Sequence, residues 1–374
     1  MPRKLRPLIL ALCLPLALAA PGATETALAT PPPIHHVFIV MLENENAAST
    51  FGPGSPAPYL SKTLRSKGAF LPNYYGVTHL SLGNYLALLS GQGSNPQTQA
   101  DCQAFNNFVQ VGTGSDGQAL GQGCVYPSSV QTLANQLTSH GFTWKGYMED
   151  MGNNPARESA TCGHPPIGSR DPTQNAEVGD QYATRHNPFV YFHSIIDTPA
   201  CNARDVPLSR LPDDIANFRV ASLSFITPNL CHDGHDEPCV DGEPGGLVSA
   251  DAWLRDWVPT IMKSAAFRRD GLLLITFDEA EAEGDSADAS ACCDEAQFPN
   301  TPNNGGPVQG RGGGRVGAVA LSPFIKPGTT SLQPYNHFST LRTIERLFGL
   351  PFLGYARSPN PGSFGGDVFA GYTR

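Results

Sequence analysis

A short polar cluster inside an apolar stretch is the part of this sequence best suited to nucleophilic chemistry. The stretch Tyr74–Gly91 reads YYGVTHLSLGNYLALLSG, and its polar residues come directly before a helix-compatible apolar run. A hydroxyl at the start of a helix lies among backbone N–H groups that have no intrahelical partner, and such a site favours an anion. An ordinary strand–turn–helix is the alternative for this stretch alone. The candidate residues are Thr78, His79, Ser81 and Asn84.

Oxygen ligands follow the two most apolar runs of the chain, 36–42 and 272–277. In open α/β sheets ligands bind at the carboxyl ends of the strands, so we expect these oxygens to converge on the serine. Carboxylate, carboxamide and hydroxyl oxygens suit a hard divalent cation, which would activate the hydroxyl and neutralise phosphate oxygens. Each acid pair alone could instead cap the next helix. The predicted metal ligands are Glu43, Asn44, Ser81, Asp278 and Glu279.

Histidines form a second chemical group. The loop Cys231–Cys239 reads CHDGHDEPC and follows a predicted strand, and a disulfide across it would hold its side chains still. Two histidines in so acidic a loop are spaced for metal binding or proton donation. The candidates are His232, Asp233, His235 and Asp236 in the loop, His186 in the turn HNPF, and His337 before the last helix.

Other motifs argue against alternative chemistries. The segment Gly112–Gly117 matches GxGxxG, but it lies in a polar insertion without a strand–helix frame, which excludes a dinucleotide site. No serine stands in a GxSxG elbow and no HExxH occurs, which argues against a lipase and against a zinc protease of that type.

Alternating strands and helices must position these groups. We therefore expect an α/β fold with a central, mostly parallel sheet flanked by helices, and a polar insertion over 91–126. Besides the two apolar runs, the predicted strands are Phe70–Gly76, Phe142–Met148, Ala221–Ile226 and Val316–Leu321. The predicted helices are Tyr59–Lys67, Leu82–Ser90, Val130–Ser139, Leu208–Phe218, Ala250–Phe267 and His337–Phe348.

The first residues predict export. Arg3, Lys4 and Arg6 precede the apolar run 8–20, and small residues follow, so we interpret 1–23 as a signal peptide with cleavage between Ala20 and Ala29. A flexible lead-in over 24–35 then leads to a single catalytic domain over 36–374. The expected location is secreted or periplasmic, without stable membrane insertion.

Eight cysteines remain after the signal peptide, which in an oxidising compartment predicts disulfides. Nearness in sequence suggests three pairs: Cys102–Cys124, Cys162–Cys201 and Cys231–Cys239. The adjacent Cys292 and Cys293 would form a strained bridge, so longer-range pairing is an alternative there. The composition argues against nucleic acid and anionic membranes as partners. The chain has 24 Lys and Arg against 33 Asp and Glu and contains no basic run, which is atypical of proteins that bind nucleic acid or anionic membranes.

Six segments, in this order, resemble the bacterial and fungal phosphoesterase family, which includes secreted acid phosphatases and bacterial phospholipases C of the alkaline-phosphatase-like superfamily. The resemblance covers nearly the whole mature chain and implies a sandwich around a central, mostly parallel sheet with disulfide-closed loop insertions. The segments are HVFIVMLENEN, GVTHLSLGNYLALLSG, RHNPFVYF, ITPNLCHDGHD, LLITFDEAE and NHFSTLRTIERLFGL.

The resemblance also implies roles for single residues. Ser81 is similar to the nucleophile of the S/T-x-P-N pattern, with Gly83 in place of the usual proline and Thr78 as the rival nucleophile. Glu43 and Asn44 resemble the first metal ligands, and Asp278 and Glu279 the later pair. Histidines fall where the family places phosphate-contacting or proton-donating groups: His186, His232, His235 and His337.

The expected function is an exported, metal-dependent phosphomonoesterase of the acid phosphatase type. Ser81 would form a phosphoserine intermediate while Asn84 and helix N–H groups hold the transition-state oxygens. One divalent ion is expected, with Ca²⁺, Mg²⁺ or Mn²⁺ favoured over Zn²⁺. The substrate would be a small phosphate monoester or a phosphoinositide head group. A phospholipase C and an inactive binding protein on the same fold are the alternatives.

Overall fold

A computed structural model describes Pro2, residues 30–358 and residues 360–370. Apart from Pro2, the predicted signal peptide, its cleavage zone and the lead-in up to residue 29 lie outside the described residues. The chain is already packed before the expected domain start: Ile34 is fully buried, and the His35 N–H donates to the Asp270 carbonyl at 3.1 Å. The lead-in therefore ends earlier than predicted.

The core of the fold is an eight-stranded sheet in the order β11-β2-β10-β9-β1-β8-β6-β7, and only β10 runs antiparallel to its neighbours. The described strands are β1 (His36–Leu42), β2 (Ala69–Leu71), β3 (Tyr74–Tyr75), β4 (Val109–Thr113), β5 (Ala119–Gln122), β6 (Trp144–Met148), β7 (Asp205–Pro207), β8 (Leu223–Thr227), β9 (Gly271–Phe277), β10 (Ala318–Leu321), β11 (Thr329–Thr330) and β12 (Tyr335–Asn336). The predicted mostly parallel sheet is confirmed. Strands β1 and β9 lie at its centre and are buried along almost their whole length, as their unbroken apolar sequences require.

The helices flank this sheet. They are α1 (Ala47–Phe51), α2 (Arg65–Lys67), α3 (Ser81–Ser90), α4 (Leu133–Ser139), α5 (His193–Ile196), α6 (Pro199–Arg204), α7 (Leu211–Ala216), α8 (Gly246–Lys263), α9 (Ala265–Asp270) and α10 (His337–Phe348). Helix α10 has the predicted bounds, because Asn336 and Ser339 form a capping box at its start and Gly349 ends it in a left-handed conformation. Among the described residues, no helix has the length and apolar character needed to cross a bilayer.

Several predicted elements divide further. The predicted helix Ala250–Phe267 breaks at Ser264, whose hydroxyl accepts the Phe267 N–H and so starts a new helix. The predicted strand Phe70–Gly76 splits into β2 and β3. Inside the polar insertion, β4 and β5 pair as an antiparallel hairpin that the sequence did not predict.

Four disulfides close loops around the sheet. The pairs 102–124, 162–201 and 231–239 are those suggested by the sequence. The fourth bridge joins the adjacent residues Cys292 and Cys293, so the longer-range pairing considered for them is wrong. The Cys292–Cys293 bridge lies in the acidic loop, residues 281–314, which follows β9 and contacts the turn before α3 through Asp288 and His79.

Candidate active site

The two central strands deliver two carboxylates to one edge of the sheet. Strands β1 and β9 are parallel and in register, with Leu42 opposite Phe277, so the next residues, Glu43 and Asp278, lie side by side. Both carboxylates are fully buried. The Asn44 N–H donates to Asp278 Oδ1 at 3.3 Å, which ties the two strand ends together. The predicted convergence of the strand ends therefore occurs.

Helix α3 presents its first residue, Ser81, to these carboxylates. The Ser81 hydroxyl donates to Glu43 Oε2 at 2.7 Å, and the side chain is only 2% exposed. One turn later on the same face, the Tyr85 hydroxyl donates to Glu43 Oε1 in a short hydrogen bond. Both oxygens of Glu43 are thus held by α3, and the serine Oγ stands directly beside a group that accepts protons.

A third strand adds a buried histidine–aspartate pair. The loop after β8 brings Asp233 Oδ2 within 3.1 Å of His186 Nδ1, and His186 Nε2 lies 3.4 Å from Glu43 Oε2. The Tyr85 ring stacks on the imidazole of His186 at 5.4 Å. The ligand atoms of Glu43, His186 and Asp233 all lie within 4.8 Å of one another, a spacing that can hold a metal ion.

The electrostatics of this group fit a bound cation. Burial, followed by the charges of Asp278 and Asp233, raises the pKa of Glu43 well above its ordinary value. Burial likewise raises the pKa of Asp233, and it raises that of Asp278 to about 6. Two buried atoms of the same strand ends, Asn44 Oδ1 and Asp278 Oδ2, have no hydrogen-bond partner among the described residues. A divalent ion would satisfy these atoms and stabilise the ionised carboxylates.

Glu279, a predicted metal ligand, is engaged elsewhere in this structure. Its Oε2 lies 2.7 Å from His79 Nδ1, and His79 Nε2 donates to the Asp288 carbonyl at 3.0 Å. Burial raises the pKa of Glu279 and lowers that of His79, which favours the neutral form of both groups. His79 therefore joins the strand end to the acidic loop, and the part of Glu279 in metal binding stays a prediction.

The hydroxyl of Thr78, the rival nucleophile, is engaged in the turn before α3. It donates to the His79 carbonyl at 3.1 Å and accepts from Gln99 Nε2 at 3.0 Å. Asn84 accepts from the Thr78 N–H at 3.2 Å and donates to the Thr78 carbonyl at 2.9 Å. These contacts make Asn84 a positioning residue, instead of a group free to hold transition-state oxygens as the sequence had suggested.

Gly83 has a steric reason to replace the proline of the family pattern. A Cβ atom built at Gly83 would lie 2.2 Å from Ser94 Oγ and 2.4 Å from Thr78 Cγ2. Both distances are far below van der Waals contact, so a side chain at residue 83 would force Thr78 and Ser94 to shift.

The remaining histidines differ in what they can still do. His337 is fully buried between the Asp278 carbonyl at 2.5 Å and the Tyr74 hydroxyl at 3.2 Å, and burial lowers its pKa to about 4. His235 Nδ1 donates to Asp236, and its Nε2 accepts from Arg185 at 3.1 Å. His232 is part-exposed, with Nδ1 3.1 Å from Glu149. The histidines therefore differ in burial and in the nitrogen atoms that hydrogen bonds already occupy.

Three residues of the site were missed by the sequence reasoning. Asp101 Oδ1 accepts the Leu82 N–H at 2.9 Å and so occupies the start of α3, and Arg185 lies 3.7 Å from Asp101 and also donates to His235. Tyr85 could have been found, because it stands four residues after Ser81 on one helix face. Arg185 could also have been found, because it directly precedes His186 in the segment RHNPFVYF. Asp101 carried no such local signal, since it comes from a loop distant in sequence from the other site residues.

Comparison with known proteins agrees with this geometry. Residues 54–351 match the Phosphoesterase family, which is most of the chain. The chain belongs to the phosphoesterase family. This confirms the resemblance drawn from the six segments, and it supports a hydrolase acting on phosphate esters.

Several curated relatives of this phosphoesterase are phosphatases. It is 25% identical over 84% of its length to a phosphate-repressible acid phosphatase from Penicillium chrysogenum, and it spans 59% of that protein. It is 26% identical over 88% of its length to a phosphatidylinositol-3-phosphatase from Mycobacterium tuberculosis, of which it spans 82%. An acid phosphatase from Aspergillus fumigatus is 25% identical over 78% of the chain, which spans 51% of it.

Comparison with solved structures finds similar chains at low sequence identity, one of them with a TM-score above 0.5. A Bacteroides thetaiotaomicron structure, described in connection with metabolism of multiple glycosaminoglycans, has a TM-score of 0.52 at 11% identity and covers 90% of this phosphoesterase and 82% of that chain. A Vibrio parahaemolyticus protein in the alkaline phosphatase superfamily has a TM-score of 0.48 at 12% identity, covering 90% and 71%. At these identities the likeness concerns the fold alone.

Proposed function

We propose that this phosphoesterase is an exported, metal-dependent phosphomonoesterase of the acid phosphatase type that works through a phosphoserine at Ser81. One observation carries the proposal: the Ser81 hydroxyl, at the first residue of a helix, donates at 2.7 Å to a buried carboxylate within a cluster of three acids and a histidine. A structural serine has no need of such a costly environment.

The chain's own groups supply the steps of the reaction. Ser81 Oγ attacks phosphorus while its proton passes to Glu43 Oε2, the oxygen to which it is already bonded. The serine–phosphorus bond forms as the bond to the leaving alcohol breaks, and water then hydrolyses the phosphoserine. The Tyr85 hydroxyl, hydrogen-bonded to Glu43 Oε1, keeps Glu43 in place throughout.

The buried carboxylates define where a metal ion would bind. Glu43, Asn44, Asp233, Asp278 and His186 offer the ligand atoms, and a divalent cation held there would neutralise phosphate oxygens and favour the ionised form of Ser81. Mostly oxygen ligands favour Ca²⁺, Mg²⁺ or Mn²⁺, while His186 keeps Zn²⁺ open.

We assign the protonation of the leaving alcohol to His232. Burial lowers its pKa, but the hydrogen bond and charge of Glu149 outweigh burial and raise the pKa above the ordinary value, so that the imidazolium is populated. His235 is the less suitable donor, because its Nε2 already accepts from Arg185. The side chain of His232 is also 27% exposed, and its Nε2 lies 3.6 Å from Glu243 Oε2.

A phosphate monoester is the proposed substrate. The relatives described above are named as phosphatases, and the Mycobacterium relative, spanned over 82% of its length, adds a phosphoinositide head group as a specific candidate. The alternative function for the same site is that of a phospholipase C, which would hydrolyse a phosphodiester. The experiment described next therefore includes a phosphodiester substrate.

The decisive experiment compares p-nitrophenyl phosphate with p-nitrophenyl phosphorylcholine from about pH 4 to about pH 9, with and without a chelator. Chelator-sensitive turnover of the monoester, lost in Ser81→Ala, is the expected result. Ser90→Ala is the matched control, because Ser90 is a buried serine at the other end of α3 that bonds only to the Leu86 carbonyl and to the Gln92 N–H. Normal turnover in folded Ser81→Ala would refute the proposal, and turnover of the choline diester alone would identify a phospholipase C.

A further inference from the structure

A large cavity lies at the opposite edge of the sheet from Ser81. It encloses about 590 Å³ and borders Thr143 and Ala221, which stand just before β6 and β8. These strands run parallel to β1, so their starts lie at one edge of the sheet and the carboxylate cluster lies at the other. The cavity is therefore separate from the candidate active site, and its volume is within the range of small-ligand sites.

The lining of this cavity is basic in an acidic protein. Four of the chain's 24 lysines and arginines border it, against two aspartates, although the chain as a whole carries a net charge of −9. Like charges gathered in one concavity raise its potential and attract an ion of opposite sign. The four are Lys145, Arg204, Arg210 and Arg219.

The two aspartates that line the cavity neutralise its four cationic side chains only in part. Asp214 pairs with Lys145 in a short contact and lies 3.5 Å from Arg219 Nε. Arg204 is held in place, since it donates to Thr138 at 2.8 Å and lies over the Trp144 ring at 5.5 Å. Asp213 is exposed at the rim, and Arg210 makes no ion pair within the part of the chain that the structure describes. Positive charge is therefore left over on Arg204, which these contacts orient, and on the exposed Arg210.

We propose that this cavity is a second anion site, which binds a phosphate-bearing ligand apart from the reaction at Ser81. Guanidinium groups match phosphate oxygens through paired N–H donors, and three arginines here converge on one concavity. The ligand is either a free phosphorylated molecule or the phosphorylated head group of a lipid. The exposed Phe218, next to Arg219 in sequence and 83% exposed, could enter a lipid surface in the second case.

The test uses the metal-loaded protein and the double variant Arg210→Gln/Arg219→Gln, in which both exposed cations are neutralised. Calorimetry with inositol hexakisphosphate and with inorganic phosphate measures total anion binding, and phosphate inhibition of p-nitrophenyl phosphate hydrolysis reports the active site. Removal of two guanidinium groups should weaken calorimetric binding about tenfold or more, with the inhibition constant unchanged. Lys263→Gln/Arg268→Gln, an equal charge change on exposed residues of α8 and α9, is the matched control.

A second measurement distinguishes a free phosphorylated ligand from a phosphorylated lipid head group. It is sedimentation of the protein with phosphatidylcholine vesicles, with and without phosphatidylinositol 4-phosphate. Vesicle binding that the Arg210→Gln/Arg219→Gln pair and Phe218→Ser both weaken identifies a lipid head group, and binding of the soluble probes alone identifies a free ligand. Equal losses in the control variant, or no loss of either kind of binding in the cavity variant, would overturn the proposal. Calorimetry and sedimentation need no catalysis, so their failure is distinct from failure of the proposed function, on which only the inhibition constant depends.

Discussion

The two edges of the sheet concentrate opposite charges. At the carboxyl ends of β1, β8 and β9, buried acids lie beside Ser81 with raised pKa values and unpartnered oxygens. At the amino ends of β6 and β8, arginines line an open cavity. The two edges differ in how deeply their charged groups are buried. The acids are desolvated and destabilise the fold when no counterion is bound. The arginines remain hydrated, so they lower the stability of the fold little when the cavity holds no ligand. The acidic edge should therefore be strongly coupled to its ligand, and the basic edge only weakly.

The largest expected effect separates the edges by catalysis. Asp278→Asn removes one charge from the acidic edge and should lower kcat/KM for p-nitrophenyl phosphate by about 10²-fold or more, because cation binding and serine activation both weaken. Arg210→Gln removes one charge from the basic cavity and should leave kcat/KM within about twofold. Steady-state kinetics at saturating metal measures both. Similar losses in the two variants would contradict the separation of the edges.

The next effect tests which histidine at the acidic edge donates the proton. His232→Asn should lower turnover of an alkyl phosphate by about 10²-fold but affect p-nitrophenyl phosphate much less, since p-nitrophenolate leaves without protonation. His235→Asn, its neighbour in the same disulfide loop, should show no such dependence on the leaving group. Rate constants for the two substrates in each variant decide the matter. If only His235→Asn shows leaving-group dependence, the assignment to His232 is wrong.

A third effect compares the edges by stability. Removing the metal should lower the free energy of unfolding by about 2–3 kcal/mol relative to protein in metal at roughly 100 times its Kd, because the ion binds only the folded acidic edge. Urea unfolding with chelator and with Ca²⁺, Mg²⁺, Mn²⁺ or Zn²⁺ measures this. Glu43→Gln should respond less to metal than the wild type, and Arg210→Gln should respond equally. A metal-independent midpoint in the wild type would count against the cation site.

The most gradual effect concerns Glu345, a buried acid on α10 far in sequence from the metal ligands. Burial raises its pKa to about 9, although the Leu353 N–H donates to it at 2.8 Å. Because the folded-state pKa is raised, the buried Glu345 costs the protein no stability below pH 4.5, its ordinary pKa. The free energy of unfolding then falls as the pH rises from 4.5 towards 9. Glu345→Gln should therefore gain stability relative to the wild type by roughly 1 kcal/mol for each pH unit above 4.5 up to pH 8, and gain none near pH 4. Urea unfolding of both proteins at the two pH values measures this, and a parallel pH dependence in both would contradict it.

The sequence predicted the scaffold well because its signals are local. The unbroken apolar runs of β1 and β9 predict central strands, and the position of Glu43 and Asp278 directly after them predicts that the two carboxylates meet. The bounds of α10 follow from its capping residues. Each of these features depends on a few neighbouring residues, so no knowledge of the tertiary structure was needed.

Other parts of the site depend on contacts between distant segments. Glu279 contacts His79, and Asp101 accepts the Leu82 N–H at the start of α3. Both contacts depend on how the acidic loop and the insertion pack against the rest of the site. Asn84 was expected to face the substrate, and its amide instead bonds the preceding turn. Residue type indicated that these side chains are polar partners, but their orientation is set by the packed backbone.

The contact around Gly83 also sets a rule for how this turn can change over evolution. Because a methyl group there would overlap both Thr78 and Ser94, the third position of the serine motif and these two residues form one steric unit. A side chain at position 83 would require the side chains of Thr78 and Ser94 to shift or shrink, so library design should vary the three positions jointly. A search that demands proline after the nucleophile would also overlook enzymes built in this way.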